Sequence, residues 1–290
     1  MPEQLTDSEV LKVFDDLLER QVIVYGDTDA ELYEDGGIPF QFRVCDSLSQ
    51  KPQFQDTPQS KPARTFGPGS DIEFADDRLL LATINETHHL VINKFSVFRP
   101  QFMLLTADSY RRQDEPLCLE DFQAVLDVSA RLEASHYAIY NCMEPAGSSR
   151  EHKHLQIFRR PVDFAFFPDR PDADTANIPF QYFLHYFNIT PSSAHHLLDA
   201  YEILHAKASQ SLGLGAGKET NNFPHNVILV KEWMLVIPRK RSNVEGVSAN
   251  AAGMMGMIWV ADAAKVRKWK ELGPAWVLSQ LGVTQENDAA

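Results

Sequence analysis

The sequence predicts an α+β fold, an antiparallel sheet with helices packed on one side and elaborated by loops. Three observations carry this expectation. Apolar runs of strand length gather in three clusters, within residues 79–107, 137–159 and 225–240, with short connections inside each. Stripes of helical period fall before, between and after these clusters instead of following every strand, which argues against a parallel βαβ order. The segments that separate the clusters are rich in Pro, Gly and Asp, residues that favour turns over ladders.

The elements follow in order. Asp7 or Ser8 is placed to cap a first helix whose apolar stripe is Val10, Leu11, Val13, Phe14, Leu17 and Leu18. Residues 21–25 and 39–45 read as short strands around an acidic turn with Gly36-Gly37. The stretch 47–70 is poor in apolar side chains and holds four prolines, so it reads as an exposed loop. LLLATI, HHLVINKF and QFMLLTA are strands, and a helix is expected over 119–135. Strands 137–142 and 153–159 come next, joined by the loop MEPAGSSREH. The Pro- and Asp-rich stretch 161–180 breaks regular structure. Ser192 or Ser193 can open a helix running toward Leu212, and the turn GLGAG leads into a hairpin over 226–240 that reverses near Lys231-Glu232. Helical patterns close the chain at 263–272 and 275–281.

Composition narrows the function classes. A chain of 290 residues with 44% hydrophobic and 10% aromatic residues can bury a core and is not a disordered tail. Cys45, Cys118 and Cys142 lie far apart with no CxxC pair, which excludes a disulfide-stapled module and a thiolate zinc knuckle. No apolar run reaches the ~20 residues that span a bilayer, and the acidic, amphipathic start is unlike a signal peptide, so a cytoplasmic setting with no membrane partner is expected. The 27 Lys+Arg against 40 Asp+Glu leave a net charge of −13, whose field repels a nucleic-acid duplex. A small phosphorylated ligand stays open, because a local nest of backbone amides can hold a phosphate inside an acidic protein.

The stretch NCMEPAGSSREHKHLQIFRR, residues 141–160, carries the chemistry. On an extended strand His152, His154 and Gln156 share one face. The preceding loop holds Gly147, Ser148 and Ser149, residues that can turn amides and hydroxyls inward, and Asn141 stands at its other end. Three readings are open: a solvent-facing strand with satisfied histidines, a metal site, and nucleophilic catalysis at phosphorus. Metal binding lacks a third ligand, since Gln is a poor zinc ligand and Glu151 points the other way. In the third reading a neutral imidazole attacks a phosphoryl centre while the serine loop and Gln156 neutralise its oxygens, and the combination of loop, spacing and glutamine favours it.

The run GSSREHKHLQ resembles the active-site signature of the histidine-triad superfamily, with Gln at the last triad position as in its nucleotidyl-transferase branch. Within that branch the chain resembles the diadenosine tetraphosphate phosphorylases, or ATP adenylyltransferases, through HKHLQ, NKFSV, KEWMLVIPR and VSANAAGMMGMIWV in order. The resemblance implies a histidine-triad-like sheet, with residues 1–165 as the catalytic region and 166–290 as an adenylyltransferase-type region completing the same compact fold. It implies that His154 takes AMP from the dinucleotide, that His152 orients it through its backbone carbonyl, and that Gln156 bonds a phosphate oxygen. Asn141, Gly147, Ser148 and Ser149 match the phosphate-binding loop. Lys51 resembles a lysine facing the polyphosphate, and Asn93 and Lys94 resemble an NK pair near the nucleotide. The implied partners are a dinucleoside polyphosphate, ATP, ADP and inorganic phosphate. No covalent cofactor or metal ligand set is expected, a divalent ion such as Mg can accompany the polyphosphate, and a monomer is favoured. One departure stands out: Gln101 occupies a place where the family usually carries histidine. A hydrolase or hexose-transferring relative and a non-catalytic nucleotide sensor are the alternatives.

The remaining candidates read as structural. The pairs His88-His89 and His195-His196 are expected to be surface or half-buried side chains, and Arg159, Arg160, Arg239, Lys240 and Arg241 solvated strand ends, with drawing in polyphosphate as their alternative role. His225 opens the late hairpin with a possible place near the site, and Cys142 and the Met254-Met255-Trp259 cluster read as packing.

Overall fold

The computed structural model describes residues 6–26, 29–51, 66–72, 76–170, 177–214 and 222–285. Most of the expected surface loop (52–65) and part of the GLGAG turn (215–217) lie outside the described residues.

Helix α1 (Asp7–Glu19) buries Val10, Phe14 and Leu17. Its cap is Thr6, whose hydroxyl accepts from the Glu9 amide at 3.3 Å, and not Asp7 or Ser8. The expected strand at 21–25 does not form; only Val24 bridges, to Phe95. Strands β1 (Ala30–Asp35) and β2 (Ile38–Val44) make an antiparallel hairpin, followed by the single turn α2 (Asp46–Ser49). Then come β3 (Leu80–Ile84), β4 (His88–Ile92), β5 (Gln101–Thr106), α3 (Leu119–Arg131), β6 (His136–Cys142), β7 (His154–Arg159) and β8 (Phe183–Tyr186). The C-terminal part adds α4 (Ala194–Ser211), β9 (His225–Leu229), β10 (Trp233–Pro238), the two-residue ribbons β11 (Asn243–Val244) and β12 (Val247–Ser248), α5 (Ala251–Met254), β13 (Met257–Val260), α6 (Ala263–Leu272) and α7 (Pro274–Leu281).

Eight strands form one antiparallel sheet in the order β3-β4-β5-β7-β6-β9-β10-β8. Strands from both halves of the chain meet at its centre, where β6 pairs with β9. A second, three-stranded sheet has the order β1-β2-β13, and β13 runs parallel to β2.

Both faces of the large sheet are covered, which corrects the expectation of helices on one side. One face packs against α1, α3 and α4 through Leu104, Tyr140, Leu155, Ile157, Val227 and Met234, among others. The other packs against β2, β13, α6 and α7 through Tyr137, Ile139, Phe158, Ile228, Trp233 and Leu235. The reason lies in the strands: β9 and β10 are buried at every position, so neither face could be left to water. Interlayer packing on the second face is aromatic, with Tyr137 stacked on Phe158 at 5.2 Å and edge-on to Phe166 at 5.1 Å.

Candidate active site

The site lies on the second face, where β6 and β7 part. Their ladder runs from His136↔Arg159 to Ile139↔Gln156 and stops there. Beyond that point the buried side chain of Gln113 inserts between the strands. Its Nε2 donates to the carbonyls of Asn141 and His154, each at 3.0 Å, and its Oε1 accepts the His154 amide at 2.7 Å. One carboxamide thus satisfies the Asn141 and His154 carbonyls and the His154 amide where the ladder bonds are missing. The two strands are held apart just where His154 needs room.

The nucleophile candidate is set by its neighbour's backbone. Nδ1 of His154 lies 2.8 Å from the carbonyl oxygen of His152. A carbonyl only accepts, so Nδ1 carries the proton and Nε2 keeps its lone pair. Nε2 has no hydrogen-bond partner among the described residues. Burial holds the ring's pKa below the ordinary imidazole value, so it is neutral at pH 7.

His152 itself does not join the expected row of three. β7 begins at His154, and His152 stands before it, fully buried, with its ring under residues 66–72. The Asp71 amide donates to His152 Nδ1 at 3.2 Å, so Nε2 carries the proton and donates to Thr106 Oγ1 at 2.9 Å. The Thr106 hydroxyl in turn donates to the carbonyls of Asp108 and Lys153, at 3.2 and 3.3 Å. The ring locks the segment, and the carbonyl does the orienting.

Around His154 the sheet supplies carboxamides; in the loop the Gly147 and Ser148 amides are bonded to the Glu144 and Met143 carbonyls at 2.8 and 3.3 Å, and the Ser149 amide has no partner among the described residues. Gln156, half-buried, accepts from Gln101 Nε2 at 2.9 Å. Asn141 sits level with His154 across the parted strands and accepts on Oδ1 from Asn226 Nδ2 and from the Ala251 amide, both at 2.9 Å. The loop between β6 and β7 begins at Met143, whose φ of 70° is costly for a side-chain-bearing residue, and turns at Gly147 with φ of 89°. A Cβ on Gly147 would lie 2.8 Å from the Cα of Asn250, so only glycine passes beneath α5. Ser149 accepts from Lys51 Nζ at 2.9 Å, while Ser148 is turned inward on the Arg150 carbonyl. Burial, then repulsion from Arg150, brings the Lys51 ammonium down to about 8.

The structure brings together His154, Gln156, Asn141, the 147–149 loop and Lys51. Asn93 and Lys94 are not bonded to these groups: Asn93 Oδ1 closes its own turn on the Phe95 amide at 3.0 Å while its amide donates to the Gln101 carbonyl at 2.9 Å, and Lys94 is exposed over the Phe95 ring. Both stand beyond the Gln101 end of the sheet.

Sequence reasoning passed over Gln113, Asn226 and Asp71, which act across long separations and form no local pattern. It also misplaced two groups. Arg239 is not a solvated strand end but is buried, donating to Asn226 Oδ1 at 2.5 Å and to the carbonyls of Ala249, Arg241, Ala146 and Leu281. Its pKa falls to about 9 through burial, so it stays charged at pH 7. His88 is not a surface residue but is buried, with Nε2 3.1 Å from Asp121 Oδ1; the other Asp121 oxygen takes the buried Lys153 ammonium at 2.7 Å. His225 lies on the opposite face, bonded to Tyr201.

Among the described residues no group of three His, Cys, Asp or Glu side chains is placed to hold a metal, and no helix is long and apolar enough to cross a membrane.

Comparisons with known proteins bear on the family and the fold. Residues 2–174 match the Ap4A phosphorylase N-terminal domain and residues 176–284 the ATP adenylyltransferase C-terminal domain. Protein APA1 of Saccharomyces cerevisiae is 27% identical over 255 residues, covering 76% of this chain and 75% of that protein. Diadenosine 5',5'''-P1,P4-tetraphosphate phosphorylase 2 from the same yeast is 26% identical over 260 residues, covering 78% and 77%. The crystal structure of yeast Ap4A phosphorylase Apa2 in complex with Ap4A superposes with a TM-score of 0.74 at 21% identity, over 98% of this chain and 99% of that one. Two domain models in tandem, with the fold of their structural relative and the HKHLQ strand at the parted centre of the sheet, lead to one conclusion: the chain belongs to the Ap4A phosphorylase (ATP adenylyltransferase) family.

Proposed function

We propose that this protein cleaves diadenosine tetraphosphate with inorganic phosphate, releasing ATP and ADP through an adenylyl group carried on His154. The observation that carries the reading is the His154 ring, neutral in its burial, with Nδ1 donating to the His152 carbonyl so that Nε2 is left as the free nucleophile.

Nε2 attacks the α-phosphorus in line, the Nε2–P bond forms, and the bond from phosphorus to the bridging oxygen breaks with its electron pair leaving on ATP. The ring becomes positive, and the His152 carbonyl stabilises that charge through Nδ1–H. ATP is a weakly basic leaving group, so no general acid is required. Inorganic phosphate then attacks the same phosphorus, the Nε2–P bond breaks, and ADP leaves with His154 neutral again. Carboxamide N–H groups from Asn141 and Gln156 and the Ser149 amide, with the Lys51 ammonium, balance charge on the non-bridging oxygens. A divalent ion, where present, rides on the polyphosphate oxygens. Two displacements give ping-pong kinetics and retention at phosphorus.

The test is incubation with the dinucleotide, with and without phosphate. Phosphate-dependent production of equal amounts of ADP and ATP is expected; AMP and ATP released without phosphate would instead mark a hydrolase, and tight binding without product a sensor.

A further inference from the structure

In the reaction proposed above two carboxamides, Gln156 and Asn141, face the reacting phosphorus, and a carboxamide can present either an oxygen or an NH2 group. Only the NH2 end attracts a phosphate oxygen. For Gln156 a second residue behind the first decides which end faces the site; for Asn141 a backbone amide and a second residue act together. Gln101 Oε1 accepts the Val97 backbone amide at 2.8 Å, and a backbone N–H can only donate. The assignment of the Gln101 amide is therefore fixed: its NH2 points away from Val97 and donates to Gln156 Oε1 at 2.9 Å. That bond in turn consigns the Gln156 oxygen to the rear and turns its NH2, unpartnered among the described residues, to the site. On the Asn141 side the Ala251 amide, an obligate donor, fixes Oδ1 directly at 2.9 Å. The Arg239 guanidinium can only donate, and it holds Asn226 Oδ1; the Asn226 NH2 then donates to the Ala146 carbonyl and, as a second donor, to Asn141 Oδ1.

We propose that Gln101 is a positioning residue that sets the polarity of the phosphate cradle at Gln156, and that the Asn226–Arg239 pair reinforces the polarity the Ala251 amide gives Asn141, each by a chain of amides begun by an obligate donor. This deepens the function proposed above by assigning residues behind those that touch substrate. The logic resembles the fixing of a histidine tautomer by its far-side partner.

The proposal makes a prediction opposite to that of a packing role. Gln101→Glu is nearly isosteric, so a packing role makes it the mildest replacement. A carboxylate at that place accepts from both Val97 and Gln156, which reverses Gln156 and aims its oxygen at the phosphate. Gln101→Leu frees Gln156 to choose, and Gln101→His can accept from Val97 through one ring nitrogen and donate to Gln156 through the other. Affinity for AMP by calorimetry and the single-turnover rate of adenylylation are measured for all three, with thermal midpoints as a check on folding. The expected order of loss is Glu worst, Leu intermediate, and His recovering most of it. The Glu variant is slower by about 100-fold, the size of effect seen when one oxyanion donor is removed. Asn226→Asp pairs with Arg239 and loses its donation to Asn141; because Ala251 still holds Asn141, a smaller loss of about tenfold is expected. A Glu variant that binds AMP as well as wild type, or a Leu variant weaker than the Glu one, overturns the proposal. A wild-type protein that binds AMP in this order of variants but transfers no adenylyl group removes the phosphorolysis reading and leaves the polarity relay standing.

Discussion

At the scale of single residues, the site is a set of protonation states chosen by neighbours. Burial keeps His154 neutral, and burial with Arg150 repulsion brings Lys51 to about 8. The first is active without its proton, the second with it. Adenylylation should therefore fall in acid as pH drops through a His154 value below the ordinary 6.5, and fall in alkali as pH rises through about 8. A pH–rate profile of the single-turnover step checks this. In Lys51→Arg the alkaline limb should vanish, because guanidinium keeps its charge, and in Lys51→Met it should vanish with a plateau lower by about tenfold. An alkaline limb unchanged in both variants would remove Lys51 from the charge balance. At this scale the sequence was most legible around His154, where the loop, the spacing and the final Gln are consecutive. Gln113 and Asn226 were not legible, since a buried amide bridging distant backbone groups leaves no periodic trace.

At the scale of elements, β7 is held from behind. Lys153 lies between the two histidines but points to the opposite face, where its buried ammonium meets the buried Asp121 at 2.7 Å and the Pro116 carbonyl at 2.8 Å. Burial opposes the Asp121 charge, but the His88 bond and the Lys153 charge outweigh it and hold the carboxyl ionised well below its usual range. Removing one partner strands the other, so Asp121→Asn should destabilise the fold by about 3–5 kcal/mol in denaturant unfolding. The double replacement Lys153→Met with Asp121→Leu should cost less than the sum of the singles. A loss below about 1 kcal/mol for Asp121→Asn would show the pair to be marginal. Helices and buried strands were legible because their apolar periods are strong, as in α1 and β10. The edge strand β1 was not, since AELYED is largely exposed and polar; nor was β8, whose four half-exposed residues carry no alternation.

At the scale of the whole molecule, the centre of the eight-stranded sheet is where the two halves of the chain meet. β7 brings His154 and Gln156 from the first half, while β9, β10 and the start of α5 bring Asn226, Arg239 and Ala251 from the second. The cradle exists only when both halves are assembled. The α+β class and antiparallel pairing were readable from clustered strands, whereas the strand order and the second small sheet were not, because pairing partners such as β2 and β13 lie some two hundred residues apart and nothing in either segment names the other. The central claim is that His154 Nε2 takes the adenylyl group. Intact-protein mass spectrometry after mixing with diadenosine tetraphosphate, with no phosphate present, tests it most directly. The account predicts a gain of one adenylyl group, mapped to His154, absent in a folded His154→Ala variant and discharged as ADP when phosphate is added; an adduct that persists in His154→Ala, or turnover by that variant at the wild-type rate, would contradict it.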